Sequence, residues 1–516
     1  MRKILLGVRG LAMLALIAGC SGEQAAPAPT AHPQPTATIE PATPAPPTAV
    51  PPPTNAPSPT VLPQPTAEPQ PTAAPPSPAP PVAQSYVIFQ SSDGSLQRSD
   101  GSGAAPIALA DPTEPGAQLP WAASPDGRTI AIVTGTGLWY QFKPPLSLAL
   151  WLVGADGSNR RKVQDLLPPR GVDITPGGGD AFNLVPALTS QQQLGWSPDG
   201  QLIAFVSAHD DQVDLYTAAL DGTITRMTNT PVLEQGPSWS PDGALIAYRT
   251  TSGFGTGAGW GDVGLEITPR GGGAPLWTMD DRQLAAGSTA AAIPDLLWIG
   301  PNLIIAGLAD SIVGKAELRV LDAGARTWNL VFGAPYSTLA WNASTSQLAI
   351  AGTPAQLLES HSDERKLTPG LFTWTPAATQ PTQIDDQPAE QIAWTPQGDA
   401  LAYSVAGTQP RVRVWAIGVE GDLKPMTSTS AQQLSWSLDG QQLAIDRTIY
   451  SRAGEKLADL PGQNSRQVGW MVQGMVYVSN TAGESYDLML WNGATAQPIA
   501  RNVAKPATTG VVITRT

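Results

Sequence analysis

The 516-residue sequence is poor in the residues that most often form covalent cross-links and metal centres. It has one cysteine and three histidines. A single thiol cannot form an internal disulfide, a cysteine-rich zinc site or a four-cysteine iron–sulfur site. Charged residues make up only 14% of the chain, which argues against a charged coiled coil. The formal net charge is −13, so we expect no nucleic-acid partner, because polyphosphates prefer a positive surface.

Sequence signatures of catalysis are also missing. The catalytic domain of a prolyl-peptidase-type serine hydrolase would need a G-x-S-x-G elbow, and the sequence has no such pentapeptide. The stretch Gly259-Trp-Gly-Asp-Val-Gly264 matches G-x-G-x-x-G, but no helical pattern follows it, as a dinucleotide site would require. We therefore predict neither catalytic residues nor a bound cofactor.

The N-terminus has the pattern of an export signal. Residues 1–19 combine a basic head with a short apolar run and small residues before a cut site. The tetrapeptide Ile17-Ala-Gly-Cys20 resembles the bacterial lipobox, which implies that Cys20 becomes the lipidated first residue of the mature chain. This resemblance implies a lipid anchor in the bacterial envelope, facing the periplasm or the cell exterior. An ordinary signal peptide with an incidental cysteine is the alternative.

A proline-rich segment follows the signal, and with Cys20 it occupies residues 20–84. Residues 23–84 contain 22 prolines among Ala, Thr, Gln and Ser, with only three charged residues. Such a composition has no apolar periodicity and cannot form a core, so we predict a disordered stalk. In a polyproline II conformation it would extend to about 190 Å, at about 3.1 Å per residue. A linker with no length requirement is the alternative.

A tryptophan-marked motif recurs from residue 85 onwards. Trp-Ser-Pro-Asp-Gly begins at Trp196 and at Trp239, and each copy leads into a strand that is apolar on both faces. A variant begins at Trp121, and weaker copies begin at Trp298, Trp341, Trp394, Trp436 and Trp470. Three of the seven intervals between copies are 42 or 43 residues, the length of a four-stranded propeller blade. Ser-Pro-Asp-Gly suits a tight turn with a left-handed glycine, and stacked blades bury both faces of a strand.

The fullest copy, residues 196–228, resembles the WD-like repeat of TolB-type β-propellers. The resemblance implies an all-β propeller of four-stranded blades over residues 85–516. We predict eight blades. Seven or nine are alternatives, because the 34-residue interval after Trp436 is short for a full blade and residues 86–109 look like a blade without its first strand. The final segment, residues 510–516, could supply that strand and close the ring.

Candidate binding residues are few. His209, Asp210, Asp211 and Asp214 group ligand types that calcium favours, which makes them weak metal candidates. The segment lacks the D-x-[DN]-x-[DN]-G calcium loop, and a solvated hairpin tip explains it better. Asp280-Asp281 and Asp385-Asp386 are weaker candidates still. Trp260 would lie in a possible binding loop. Long insertions would place further binding loops on the propeller faces, and they cover residues 135–149, 168–193, 251–264, 281–295 and 353–370.

These features together predict a lipid-anchored, extracytoplasmic propeller that is monomeric and binds a protein or glycan partner without catalysis. Two alternatives remain open. One is a propeller enzyme that acts on extracellular carbohydrate through carboxylates around the central funnel. The other is an accessory subunit of an envelope complex.

Overall fold

The structure is a computed structural model. It describes residues 84–111, 120–136, 147–173, 180, 184–190, 192–251, 263–279, 290–310, 314–352, 369–405, 411–417, 424–427, 431–482, 485–504 and 509–513. All of them belong to the unit Pro78–Thr516. The predicted signal (1–19), Cys20 and the stalk before Gln84 lie outside the described residues. Within the described part of the chain, no helix is long and apolar enough to cross a bilayer.

The described strands form nine four-stranded antiparallel sheets, which we number as blades 1 to 9. In each blade the strands are called A, B, C and D in the order of the sheet. The A strands of neighbouring blades contact one another, so strand A lies nearest the centre of the ring. The sheets confirm the predicted all-β propeller of four-stranded blades.

The first three blades have the following strands. Blade 1 contains β36 (Gly510–Ile513), β1 (Ser85–Gln90), β2 (Leu96–Ser99) and β3 (Ile107–Ala110). Blade 2 contains β4 (Trp121–Ala123), β5 (Thr129–Thr136), β6 (Ser147–Gly154) and β7 (Arg161–Asp165), followed by the short helix α1 (Leu184–Thr189). Blade 3 contains β8 (Leu194–Trp196), β9 (Leu202–Ser207), β10 (Asp214–Ala219) and β11 (Ile224–Arg226).

The middle three blades follow the same order. Blade 4 contains β12 (Leu233–Trp239), β13 (Leu245–Thr251), β14 (Val263–Pro269) and β15 (Trp277–Met279). Blade 5 contains β16 (Ala290–Trp298), β17 (Leu303–Asp310), β18 (Gly314–Asp322) and β19 (Thr327–Phe332). Blade 6 contains β20 (Tyr336–Asn342), β21 (Gln347–Gly352), β22 (Gly370–Trp374) and β23 (Thr382–Asp385).

The last three blades complete the ring. Blade 7 contains β24 (Ala389–Trp394), β25 (Ala400–Val405), β26 (Arg411–Ala416) and β27 (Lys424–Thr427). Blade 8 contains β28 (Leu434–Trp436), β29 (Gln442–Ile445), β30 (Thr448–Ser451) and β31 (Lys456–Asp459). Blade 9 contains β32 (Gln463–Met471), β33 (Gly474–Ala482), β34 (Ser485–Trp491) and β35 (Ala496–Val503).

The ring is closed by the last strand of the chain. Strand β36 pairs antiparallel with β1, with Tyr86 opposite Val512, and thereby supplies the A strand that blade 1 lacks. This confirms the predicted role of residues 510–513. The predicted number of eight blades is wrong, because the short interval after Trp436 does hold a complete blade. Blade 8 fits because its B and C strands are joined by only two residues, Asp446 and Arg447, with Asp446 at a φ of 49°.

The hydrophobic core lies between the blades. Strand β9 shows the pattern: Phe205 joins a cluster with Leu150 of blade 2, whereas Ala204 faces a cluster with Trp239 and Tyr248 of blade 4. Full burial of each large apolar side chain stabilises the fold by about 1.5–3 kcal/mol. The alanines that recur at the position of Ala204 are also fully buried, and they are Ala247, Ala349, Ala402 and Ala444.

The recurring tryptophans connect neighbouring blades. On the A strand of a blade, the indole N–H donates to a backbone carbonyl on the A strand of the preceding blade, at 2.9–3.2 Å. These bonds run from Trp196 to Ala122, Trp239 to Gly195, Trp298 to Ser238, Trp394 to Ala340, Trp436 to Ala393 and Trp470 to Ser435. The tryptophan of the motif therefore identifies strand A of a blade and also forms the hydrogen bond that connects this strand to the preceding blade.

Trp121 does not occupy this position. Strand pairing puts Ala123 in the place that Trp196 has in blade 3, so the first copy of the motif is shifted by two residues. Trp121 instead lies against the closing strand, where a Cβ added to Gly510 would be 3.0 Å from its ring. Glycine at this point of β36 allows the first and second blades to approach closely.

The Ser-Pro-Asp-Gly segments form the predicted tight turns between strands A and B. In blade 4, Ser240 Oγ donates to Asp242 Oδ1 at 2.6 Å and accepts the backbone N–H of Leu245 at 2.9 Å. Gly243 has a φ of +71°, the left-handed conformation that glycine adopts without strain. The same serine–aspartate arrangement recurs at Ser124–Asp126, Ser197–Asp199 and Ser437–Asp439.

The alternation of strands gives the ring two unlike faces. The A–B and C–D turns lie on one face, which we call the turn face. The B–C connections and the connections from strand D to the next blade lie on the other, which we call the loop face. Both Gln84, which precedes strand B of blade 1, and the end of β36 lie on the turn face.

Candidate functional site

The residues proposed as weak metal candidates lie on the loop face of blade 3. Asp214 is fully buried and accepts a hydrogen bond from Arg226 Nε at 3.0 Å. Asp210 accepts the Tyr216 hydroxyl at 2.8 Å. Burial and this bond raise the pKa of Tyr216, so its hydroxyl remains a donor. Asp214 therefore ties strand C to strand D, and Asp210 ties the B–C connection to strand C.

The other two candidates point to different partners. Asp211 Oδ1 lies 3.4 Å from Arg170 Nε, and the side chain of His209 is exposed. Among the described residues, no group of three or more His, Cys, Asp or Glu side chains is arranged to hold a metal ion. The structure thus brings these four residues into one hairpin and gives the three carboxylates cationic or hydroxyl partners from the protein.

The pair Asp385-Asp386 separates into two different roles. Asp385 is 5% exposed, accepts the Tyr403 hydroxyl at 2.7 Å and forms an ion pair with Arg413. Asp386 is exposed and accepts a hydrogen bond from Gln387 Nε2 at 2.9 Å. Asp385 is therefore a structural residue at the end of strand D in blade 6, where it contacts blade 7.

Several predicted positions lie outside the described residues. They include Cys20, Trp260, Asp280-Asp281 and most of the G-x-G-x-x-G stretch at 259–262. The predicted insertions are shorter than their sequence boundaries. Residues 135–136 and 147–149 belong to strands β5 and β6, and residues 290–295 belong to β16. All five insertions join strand B to strand C or strand D to the next blade, so all five leave the ring on the loop face.

One buried carboxylate was not anticipated from the sequence. Glu234, on strand A of blade 4, is fully buried, and its Oε1 accepts the Thr230 hydroxyl at 2.6 Å. Burial raises the pKa of Glu234 to about 8 despite this bond, and the nearby Asp214 carboxylate acts in the same direction. Its Oε2 has no hydrogen-bond partner within the described part of the chain. Because Glu234 has no exposed surface, it cannot touch a substrate in this conformation.

A pocket of about 1340 Å³, lined by charged, polar and apolar side chains, opens on the turn face where blades 1 and 2 meet. Turns of blades 1, 2, 3 and 9 line it, together with Gln84 and Ser85 at the start of the described chain. We call it the turn-face pocket. Its charged lining residues are Arg98, Arg128, Arg161, Asp100, Asp126 and Asp156.

The three carboxylates of the turn-face pocket cap their own turns. Hydrogen bonds from Ser102 lower the pKa of Asp100, and hydrogen bonds from Ser158 lower that of Asp156. For Asp126, partial burial raises the pKa, but the hydrogen bond from Ser124 and further interactions bring it below its ordinary value. All three therefore stay ionised at neutral pH.

The arginines of the pocket are held differently from one another. Arg161 donates to the carbonyls of Ala219 and Leu220 on blade 3. Arg128 is largely exposed, with its Nε 3.9 Å from Asp126. Arg98 is half-buried, and its guanidinium carbon lies 5.0 Å from the centre of the Tyr86 ring. No hydrogen bond or ion pair joins Arg98 to any described residue, and its Nε is buried.

Sequence reasoning missed this pocket because its residues come from segments that are far apart in the chain. Gln473 of blade 9 contacts Ser85, whose Oγ donates to Gln473 Oε1 at 2.9 Å across the closure of the ring. The available signals were weak: an Asp-Gly pair between strands C and D at Asp100, Asp156 and Asp221, and an arginine after the turn at Arg128. Neither indicates a pocket until the ring closes.

No model of a known protein family matches the chain, and no curated protein matches it. Solved structures do share its fold. The chain is similar to a eukaryotic initiation factor with 11% identity and a TM-score of 0.52, over 83% of this chain and 98% of that one.

Two further structures are similar to the chain at lower TM-scores. The β-propeller domain of the Trilobed protease from Pyrococcus furiosus matches with 10% identity and a TM-score of 0.38, over 74% of this chain and 97% of that chain. A TolB-like protein from Agrobacterium tumefaciens matches with 16% identity and a TM-score of 0.28, over 49% and 91%. At 11% identity the likeness to the initiation factor concerns the fold alone.

Proposed function

We propose that the chain is a lipid-anchored, extracytoplasmic β-propeller that acts as a monomeric binding module for a protein or glycan partner, without catalysis. Its partner would be contacted through the loop face. The observation that carries this proposal is that the chain enters the ring on one face, whereas the long connections leave it on the other. The described chain enters the ring at Gln84 on the turn face, and all five long insertions leave from the loop face.

The anchor part of the proposal rests on the N-terminal sequence. Residues 1–19 have the pattern of an export signal, and Cys20 ends a lipobox-like tetrapeptide. A tether of residues 20–83 would then attach to the turn face, because that is where Gln84 lies. An attachment there leaves the loop face free for a partner.

The binding part rests on how the ends of strands are held. Loops that bind partners are commonly carried by a rigid scaffold. On the loop face, strand ends are fixed by buried pairs such as Asp214–Arg226 within blade 3 and Asp385–Arg413 between blades 6 and 7. Such pairs make the loop-face ends of these strands a rigid base, and a rigid base lowers the entropy that is lost on binding.

The anchor is tested by replacing Cys20 with serine. The wild-type protein is expected in the membrane fraction and labelled with a radioactive fatty acid. The Cys20→Ser protein is expected to lose the label and to be released from the membrane. Retention of Cys20→Ser in the membrane at the wild-type level would contradict the anchor while leaving the binding face untested by that experiment.

The binding face is tested by site-specific photo-crosslinking in the native membrane. Exposed loop-face positions such as Gln212 and Gln387 would carry the crosslinker, with Ala244 and Ala453 on the turn face as matched controls. The proposal expects a discrete crosslinked partner from the loop-face positions and little from the controls. Equal products from both faces would contradict it. Release of reducing sugar ends from envelope polysaccharide by the purified protein would favour the enzyme alternative.

A further inference from the structure

The turn-face pocket lies on the opposite face from the proposed partner surface, so it requires an explanation of its own. Its volume of about 1340 Å³ is sufficient for a small molecule of several rings. Its lining combines hydrogen-bond donors and acceptors with apolar groups such as those of Leu152, Val153 and Leu220. The residues come from turns that the ring closure holds together, so the pocket is a property of the closed ring.

The charged side chains of the pocket differ in the hydrogen bonds that they make to the protein. Asp100, Asp126 and Asp156 each accept hydrogen bonds within their own turns, so the turns fix their positions. Arg161 is engaged by carbonyls of blade 3. Arg128 is largely exposed and only approaches Asp126, at 3.9 Å. Arg98 is the half-buried arginine of the pocket, and none of its five donor hydrogens reaches a described residue.

The placement of Arg98 favours a planar anion. Its guanidinium lies over the ring of Tyr86, which is itself fixed by a hydrogen bond to the carbonyl of Gly127 at 2.6 Å. A guanidinium held in this way presents parallel N–H groups, which match the two oxygens of a carboxylate. A phosphate dianion would be repelled more strongly by the three surrounding aspartates than a carboxylate with a single charge.

The remaining lining residues favour hydroxyl groups. Fixed carboxylates accept hydrogen bonds from hydroxyls, and side chains such as Asn159 and Ser102 can both donate and accept. A sugar ring offers several hydroxyls that do both. Apolar groups of the lining, such as those of Leu152, Val153 and Leu220, can pack against the C–H groups of a sugar ring. A peptide bound by its terminal carboxylate is the competing occupant, and the test below includes one.

We propose that the turn-face pocket is a binding site for an acidic sugar of the uronic acid type, with Arg98 holding the carboxylate and the turn aspartates holding the ring hydroxyls. The proposal goes beyond the loop-face function and does not depend on it. A protein that fails to crosslink through its loop face could still bind the sugar, and the reverse also holds.

The test is calorimetric titration of the full chain in detergent with D-glucuronate, and in parallel with glucose, acetate, inorganic sulfate and a short glycine–serine peptide. Glucuronate is expected to bind at least about tenfold more tightly than each of the others, since both the carboxylate and the hydroxyls contribute. Arg98→Gln is expected to weaken glucuronate binding by about tenfold or more. Arg160→Gln is the matched control, because Arg160 pairs with Asp111 at 2.7 Å and lies over Trp151. The Arg160→Gln protein is expected to bind glucuronate with the wild-type affinity.

Several results would overturn the proposal. Unchanged glucuronate binding by Arg98→Gln would remove Arg98 from the site. Acetate or sulfate binding as tightly as glucuronate would indicate a simple anion site, and tighter peptide binding would indicate a peptide site. If Arg98→Gln does not fold, Arg98→Lys retains the charge but not the planar fork, and it is expected to weaken glucuronate binding several-fold. Wild-type affinity in a folded Arg98→Lys protein would contradict the carboxylate role.

Discussion

The turn face and the loop face of the propeller are stabilised by different kinds of interaction. On the turn face, the A–B turns of blades 2, 3, 4 and 8 are held by hydrogen bonds between residues two to five positions apart, as at Ser240, Asp242 and Leu245. On the loop face, buried charges pair across strands and across blades, as at Asp385 and Arg413. Short-range capping gives a face of repeated turns, whereas long-range pairing allows each blade to carry a different connection.

The difference implies that loop-face substitutions at buried charges should have the largest effects on stability. Asp385→Ala would leave Arg413 and the Tyr403 hydroxyl without their buried acceptor. We expect the free energy of unfolding to fall by about 3–5 kcal/mol, measured by denaturant titration. Asp386→Ala is the matched control. Asp386 is exposed, and the change there is expected to stay within about 0.5 kcal/mol. Equal effects at the two positions would remove the contrast between buried and exposed charges.

The buried Glu234 gives the loop half of blade 4 a pH dependence. Its folded-state pKa of about 8 lies above the ordinary value of 4.5. The contribution of protonated Glu234 to the free energy of unfolding is therefore fully present below pH 4.5 and is lost as the pH rises towards 8. At pH 7 the loss amounts to about 3 kcal/mol at most, at about 1.4 kcal/mol per pH unit.

The corresponding measurement compares the unfolding free energy of the wild type and Glu234→Gln between pH 4.5 and 8. The variant is expected to gain stability relative to the wild type as the pH rises. Glu455→Gln, at an exposed position of the blade 8 turn, is expected to follow the wild type throughout. A constant difference between Glu234→Gln and the wild type over this range would show that Glu234 does not titrate in it.

A substitution in a single turn of the turn face should lower the free energy of unfolding less than the loss of a buried loop-face charge. Ser240→Ala removes the donor to Asp242 and the acceptor for Leu245 N–H, and we expect a loss of about 1–2 kcal/mol by denaturant titration. Ala244→Ser, at the next exposed position of the same turn, should change the stability by less than about 0.5 kcal/mol. A loss from Ser240→Ala as large as that from Asp385→Ala would contradict the proposed ranking of the two faces.

Exposed ion pairs between turns should matter least. Arg452 lies 2.7 Å from Asp399 of the neighbouring blade, and the two side chains are 31% and 53% exposed. Arg452→Gln is expected to lower the stability by less than about 1 kcal/mol at low salt. The difference should shrink further in about 1 M salt, where charges are screened within about 3 Å. A salt-independent loss would indicate that Arg452 acts through packing.

The sequence was informative where the interactions are local. The Trp-Ser-Pro-Asp-Gly motif predicted the turn, the left-handed glycine and the following buried strand, because all three depend on residues within about ten positions. It also indicated the closing strand, since residues 86–109 lacked a partner. The blade number was missed because a two-residue B–C connection at Asp446-Arg447 makes blade 8 unusually short.

Long-range pairing could not be predicted in the same way. Nothing in the sequence distinguishes Asp385 from Asp386, yet one is buried against Arg413 and the other is exposed. Arg98 and Asp156 are separated along the chain and meet only because blades 1 and 2 are adjacent. The first motif copy was placed at Trp121 although Ala123 has the equivalent position, because composition alone does not fix strand register.

Both faces, and the pocket between blades 1 and 2, exist only if the last strand closes a ring of nine blades. Hydrogen exchange of the full chain tests this most directly. Those amides of residues 510–513 that donate to strand β1 are expected to exchange as slowly as the amides of residues 85–90, and Val512→Asp is expected to accelerate exchange in both segments together. Rapid exchange of residues 510–513 beside a fully protected segment 85–90 would contradict the closed ring.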